Sequence, residues 1–219
     1  KQLAPTMPVG SKELRPHRLH VGLFDIKGDK LSRRTSVELD VAGALTEVTE
    51  LAGQKLADLV LVNDKDQTYA KLRFDDRSIA TMKSHLGSLD DSLARGLIWA
   101  SLWDSCRDGE LSTSDYVTIA LNALKTESDI SIVAATYLQF ETAIWAYANP
   151  AKRDAIRSHV ADATAAMLAS AVAGSDHQMQ FAKAFANNAI TPAHFEKIKG
   201  ILNGSENGLV LDADLRWYV

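Results

Sequence analysis

LVLVNDKDQTYAKLRFDDRS, Leu59 to Ser78, decides how the chain is organised. Leu59 to Val62 is an unbroken aliphatic run, the composition of a buried strand. Asn63-Asp64-Lys65-Asp66 is turn chemistry, because Asn and Asp side chains bond their own backbone. Tyr69 to Phe74 then alternates. Ala70, Leu72 and Phe74 fall on one face and Tyr69, Lys71 and Arg73 on the other, which predicts a half-buried strand. Asp75, Asp76 and Ser78 are helix N-cap types. Behind them Ile79, Met82 and Leu86 recur at helical spacing. The period changes from two to 3.6 near residue 75, and a domain boundary is expected there.

Upstream of that stretch the chain reads as sheet. Residues 1–17 carry Pro5, Pro8, Gly10 and Pro16 and read as an extended linker. Leu19 to Phe24 is strand-like, and Lys27-Gly28-Asp29-Lys30 is a turn in which Gly28 is free to take positive φ. Ser36 to Val41 alternates, Ala42-Gly43 turns again, and Thr46 to Val48 reads as a short return strand. With the two segments of the opening stretch this predicts about five or six short strands, hence a small antiparallel β-sandwich over 18–75.

Downstream the reading is helical throughout, in pairs. Segments at about 76–86 and 90–107 form the first pair. The second opens on Ser112 and on Asp129, with Val133, Tyr137, Phe140, Ile144 and Tyr147 as the clearest apolar stripe. The third runs over about 151–173 and from Asp176 to about 188. Thr191 with Pro192 behind it starts another helix, and Asp212 caps a last one. Antiparallel pairs joined by short loops predict a HEAT- or armadillo-like solenoid over 76–219, although no strict sequence repeat supports it. A compact non-repeating bundle is the alternative. The fold class expected is therefore α+β, a small sandwich followed by an all-α domain.

Composition narrows the function classes. Hydrophobic residues make up 46% of 219, ample for a core, and the net charge is -4 without clustering of Lys and Arg. Nucleic-acid binders show a basic patch or stripe, so none is expected as a partner. The apolar runs fall short of a membrane span. Lys1 to His17 has no apolar core of a signal peptide. The single cysteine, Cys106, cannot form an intramolecular disulfide, so a cytoplasmic location is expected.

The stretch from Asn63 to Asp75 resembles the junction of the M1 zinc aminopeptidases of the aminopeptidase N type. There a strand with an Asn, an aromatic and a basic residue, ending in aromatic-Asp, leads from a β-sandwich into the C-terminal helical domain. The matching positions are Asn63, Tyr69, Lys71, Phe74 and Asp75, with Ala70 and Lys71 standing where the family usually has a second aromatic and Arg. RPHRLHVGLFD, HLGSLDDSLARGLIWASLWD and GLVLDADLRW occur in the family's order and resemble its bacterial members. The resemblance implies a parent enzyme that removes N-terminal residues from peptides with one zinc ion. It implies that this region is a wall of the chamber admitting peptides to the active site, with the parent's catalytic domain and substrate peptides as partners. Asn63, Tyr69, Lys71 and Asp75 are then candidates for an interdomain contact, against the plainer reading of Tyr69 and Lys71 as a solvated face. A stand-alone helical scaffold that docks protein segments is the rival function.

No catalytic or metal-binding residues are assigned. Zinc peptidases of this kind need H-E-x-x-H on a helix, and the chain contains no His-Glu pair. The Gly-Ala-Met-Glu-Asn strand of the family is missing too. This chain is expected to be inactive and to hold no cofactor, the zinc belonging to the parent. His17, His20, His85, His159, His177 and His194 are scattered and expected to be exposed and unligated. Cys106, in a Leu- and Trp-rich helix, reads as a buried inert thiol. Asp75-Asp76 and Asp90-Asp91 fall at helix starts and read as caps. Trp99, Trp103, Trp145 and Trp217 read as packing residues, or one of them as part of a peptide-holding surface. Leu211, Leu215 and Trp217 near the end of the sequence suggest an apolar end face and hence a homodimer.

Overall fold

The computed structural model describes residues 1–5, 9–206 and 208–219. The protein is α+β. A three-stranded antiparallel sheet holds β1 (His17–Lys27), β2 (Lys30–Val41) and β3 (Leu59–Val62) in the order β2-β1-β3. Eight α-helices follow among the described residues: α1 (Asp76–His85), α2 (Ser92–Arg107), α3 (Thr113–Leu124), α4 (Ile130–Thr142), α5 (Pro150–Ser170), α6 (Asp176–Asn188), α7 (Pro192–Leu202) and α8 (Ala213–Tyr218). By internal contacts the chain divides into two units, 1–104 and 105–219, the division falling within α2.

In the first unit β1 and β2 form a hairpin closed by Gly28 and Asp29, with Lys27 opposite Lys30. Gly28 takes φ +65°, which suits glycine at the first of two loop positions. The register slips between Leu23 and Phe24, leaving Arg34 as the extra residue of a bulge. One face of the sheet carries Leu19, Val21 and Leu23 against Ala57, with Leu39, Val41, Leu51 and Val60 packed at the margin. Phe24, Leu59 and Leu61 are buried on the strands between.

The described residues form one sheet, not the two sheets of the expected sandwich. Neither Thr46–Val48 nor Tyr69–Phe74 is a strand. The Thr46 hydroxyl bonds both the N–H and the carbonyl of Ala42, at 3.2 Å each, so it closes a local turn instead of pairing. The outer edge of β3 is occupied from α1. The Val60 N–H donates to Ser78 Oγ at 3.0 Å, and Thr81 Oγ1 donates to the Asp58 carbonyl at 2.7 Å. A helix thus covers the edge on which a further strand would have added. Along 69–74 only Leu72 is buried; Tyr69, Ala70 and Lys71 are exposed.

α1 begins where the period changed. Asp75 caps it by accepting from the Ser78 N–H at 2.9 Å. Ser112, Asp129, Thr191 and Asp212 cap α3, α4, α7 and α8 in the same manner. Asn149 and Pro150 open α5. The second unit is built on aromatic edge contacts: Tyr116 to Phe140 (6.1 Å), Phe140 to Tyr137 (5.5 Å) and Tyr137 to Phe181 (6.3 Å). These join α3, α4 and α6, and α5 packs along α6.

Candidate functional site

The four residues singled out as an interdomain contact do different things. Asn63 is buried, at φ +60°, and organises the loop after β3. Its Oδ1 accepts from the N–H groups of Gln67 (2.9 Å) and Thr68 (3.1 Å), and its Nδ2 donates to the Thr68 carbonyl (2.8 Å). Asp75 is a helix cap. Tyr69 is fully exposed and Lys71 lies on the surface beside it. The positions are therefore two structural anchors and two surface side chains.

The loop that Asn63 shapes carries a residue that the sequence reading took only as turn chemistry. Asp64 is completely buried. Arg33 grips it with two bonds of 2.8 Å, and the Ser36 hydroxyl donates to it at 2.8 Å. The same guanidinium pairs with Asp91 at 2.7 Å and lies over the Phe24 ring at 5.1 Å. Asp91 in turn accepts from the Ala94 N–H at 2.9 Å. The Asp64 pairing raises the Arg33 pKa further, against the effect of burial. Burial opposes ionisation of Asp91, but the Ala94 N–H and Arg33 outweigh it and hold its pKa low. Gly22 makes room: a Cβ there would lie 2.6 Å from the Asp64 carboxyl carbon. Only the adjacency of a glycine strand position and paired arginines, Arg33-Arg34, hinted at this cluster, and spacing alone could not join residues 33, 64 and 91.

Four of the six histidines are not the free surface groups expected, whereas His159 is exposed. His17 Nδ1 lies 2.6 Å from Thr68 Oγ1, and His20 Nδ1 lies 2.6 Å from Gln67 Oε1, so both hold the 63–68 loop. His194 is buried and completes the capping box of α7, with Nε2 3.0 Å from Asp162. His177 Nε2 donates to the Glu127 carbonyl at 3.0 Å. Among the described residues no three His, Cys, Asp or Glu side chains converge as a metal-binding group. No helix of the described residues is long and apolar enough to cross a membrane. Cys106 is buried, and that burial pushes its thiol pKa up against the opposing Thr113 hydroxyl, which disfavours the reactive thiolate.

The second unit holds an open groove of about 540 Å³. It is lined by Ala163, Ala166, Met167 and Ser170 of α5 together with Leu124, Lys125, Glu127, His177 and Phe181. Its volume is in the range of sites that take small molecules or peptide side chains. Tryptophans divide: Trp99 is buried, whereas Trp145 is 53% and Trp217 91% exposed, so two of the four are not core.

Residues 59–219 match the model of the ERAP1-like C-terminal domain, nearly three quarters of the chain. The chain belongs to the ERAP1-like C-terminal domain family. It is also similar to aminopeptidase N of Streptomyces lividans, 44% identical over 223 residues that cover 99% of this chain and 26% of that protein. The chain thus spans about a quarter of the length of this relative. The resemblance to the C-terminal region of M1 aminopeptidases, drawn from Asn63 to Asp75 and three further motifs, is borne out. In this family member the matched region begins with β3 and takes in every helix, and the β1–β2 hairpin lies before it.

Proposed function

We propose that this ERAP1-like C-terminal domain is the non-catalytic part of a zinc aminopeptidase that trims peptides from their N-termini, and that its helices form a wall of the chamber through which peptides reach the active site. The observation that carries the reading is the 44% identity to an aminopeptidase N along 99% of this chain. The groove over Ala163, Ala166 and Ser170 is the surface on which substrate length would be sensed, because an open groove of this volume, lined by small and apolar side chains with Lys125, Glu127 and His177 among them, can hold part of a peptide chain. In this reading the helices after residue 76 are the start of a HEAT-like array, the strands belong to a sandwich completed elsewhere in the parent, and the zinc, the catalytic groups and a cytoplasmic location are the parent's.

The test uses both the chain and an aminopeptidase containing it. The isolated chain should not hydrolyse aminoacyl-anilides and should retain no stoichiometric zinc; about one tightly held zinc per chain would overturn the reading. In the longer enzyme Ala166→Trp would fill the groove. Its kcat/KM for a ten-residue peptide should fall several-fold while that for an aminoacyl-anilide stays unchanged. Equal values for both substrates in variant and parent would remove the groove from the path.

A further inference from the structure

A surface of the second unit, away from the groove lining, joins aromatic rings to cations that have no acid partner. α4 passes into a π-helical turn, Ala143–Tyr147, at Trp145. Such turns are uncommon and concentrate at functional sites. Arg153 fastens this one, donating from Nε to the Ile144 carbonyl and from a terminal nitrogen to the Trp145 carbonyl, both at 3.0 Å. The guanidinium carbons of Arg153 and Arg157 lie 5.0 and 5.4 Å from the Trp145 ring centre. Arg157 also donates to the Asn187 carbonyl at 3.2 Å, and Asn187 Nδ2 donates to the Tyr218 hydroxyl at 2.7 Å. Lys183 sits 5.3 Å from the Tyr218 ring centre.

Among the described residues Arg153, Arg157 and Lys183 make no ion pair, although the same unit pairs Lys197 with Glu206 and Lys199 with Glu196. Acids close to this strip in the chain are Glu141, one turn before Trp145, Asp154, between Arg153 and Arg157, and Asp214, one turn before Tyr218 on α8. Glu141 is half-buried and bonded to Asn188 Nδ2 at 3.0 Å; burial raises its pKa against the bonds from Asn188 and Trp145 and the charge of Arg157. The three cations of the strip stand in a chain whose net charge is -4. Half-buried arginines against an exposed indole suit planar carboxylates, since the guanidinium fork can present a terminal donor while its face stays on the ring.

We propose that the strip formed by Trp145, Arg153, Arg157, Lys183 and Tyr218 binds acidic peptide segments. This deepens the peptide-handling reading and rests on it for the choice of a peptide over other polyanions. The strip would hold carboxylate side chains or a terminal carboxylate of a peptide, with Trp145 as the apolar contact beside them.

Fluorescence anisotropy of labelled hexaglutamate, a neutral Gly-Ser hexapeptide and hexauridylate, titrated with the 219-residue chain at low salt, tests this. Hexaglutamate should bind and the neutral peptide should not, with affinity falling as salt rises. Lys183→Gln, at a half-buried position beside the Tyr218 ring, should weaken binding several-fold. Arg157→Gln with Lys183→Gln should weaken it at least tenfold, while Lys27→Gln in the first unit should leave it unchanged; circular dichroism checks that each variant is folded. No hexaglutamate binding at millimolar peptide, or equal loss in Lys27→Gln, overturns the proposal. Equal binding of the neutral peptide overturns it and leaves the peptide-handling reading standing. Tighter binding of hexauridylate overturns the assignment to peptides.

Discussion

The two units of this chain bury different chemistry. In the first, acids are taken inside and answered: Asp64 by Arg33, which also pairs with Asp91, and Asp25 by Arg34. In the second, the buried polar side chains are mostly neutral, among them Thr136, Thr164, Gln178 and Asn188, and rings meet edge to face. The difference follows from the elements on which each unit is built. A three-stranded sheet has little apolar area to bury, and specific ion pairs fix how its loops return to it. Six or more helices can bury whole faces against one another and need no ionic fixing. Geometry in the first unit depends on a few irreplaceable partners, whereas in the second it is spread over many contacts.

The largest effect should come from the second unit. Phe140 is fully buried and meets both Tyr116 and Tyr137. Phe140→Ala should cost about 4 kcal/mol in urea unfolding. A cost below about 1 kcal/mol would mean that the aromatic contacts are not the core of that unit.

Next comes the ionic cluster. Asp64→Ala removes the carboxylate that Arg33, Ser36 and the space at Gly22 were arranged around. Leaving a guanidinium partly buried without this partner should cost about 3 kcal/mol. Asp91 remains to hold Arg33, so the loss should grow when Asp91→Ala is added and the two costs should not sum. Strict additivity would break the picture of one shared guanidinium.

A smaller loss is expected at the covered sheet edge. Ser78→Ala deprives the Val60 N–H of its acceptor and removes a hydroxyl bond to Asp75. A neutral hydrogen bond of this type contributes about 1 kcal/mol. Hydrogen exchange at the Val60 amide should quicken in the variant, and unchanged protection there would show that the edge is held by something else.

This edge also explains what was legible in the sequence. Caps are local, so Asp75, Ser112, Asp129, Thr191 and Asp212 could be read from single residues and the stripe behind them. The α+β class and the change of element type at residue 76 followed from periodicity. The alternation of Tyr69 to Phe74 misled because period two predicts a strand only where an edge is free to receive it, and Ser78, four residues beyond Phe74, fills that edge from a helix. Asp64 was read only as turn chemistry beside Asn63, because its partners lie 31 and 28 residues away on β2. Trp145 was read with the other tryptophans as a packing residue or part of a peptide-holding surface; the π-helical turn that carries it has no mark in the spacing.

The smallest effect separates the two units by sign. The Ile26 N–H, and then Arg77, hold the Asp58 pKa low, and Asp91 is likewise held low. A carboxylate held low in the folded state contributes stability that is present above the ordinary aspartate value, about 3.9, and is lost as pH falls below it. Glu141 runs the other way. Burial raises its pKa, although Asn188 and Trp145 bond it and Arg157 is near. The folded state then binds its proton more readily than the unfolded chain. Its contribution is complete below the ordinary glutamate value, about 4.3, and is lost as pH rises through the raised one. Glu141→Gln removes that titration and keeps an oxygen to accept from Asn188. The variant should be slightly more stable than the parent at pH 7, within about 0.5 kcal/mol, and the difference should shrink as the pH is lowered to 4. Asp58→Asn should show the reverse trend, less stable at pH 7 and converging with the parent in acid. Urea unfolding followed by tryptophan fluorescence at pH 7, 5 and 4 reads both, and parallel pH profiles for the two variants would erase the contrast between an ionically fixed sheet and an apolar helical unit.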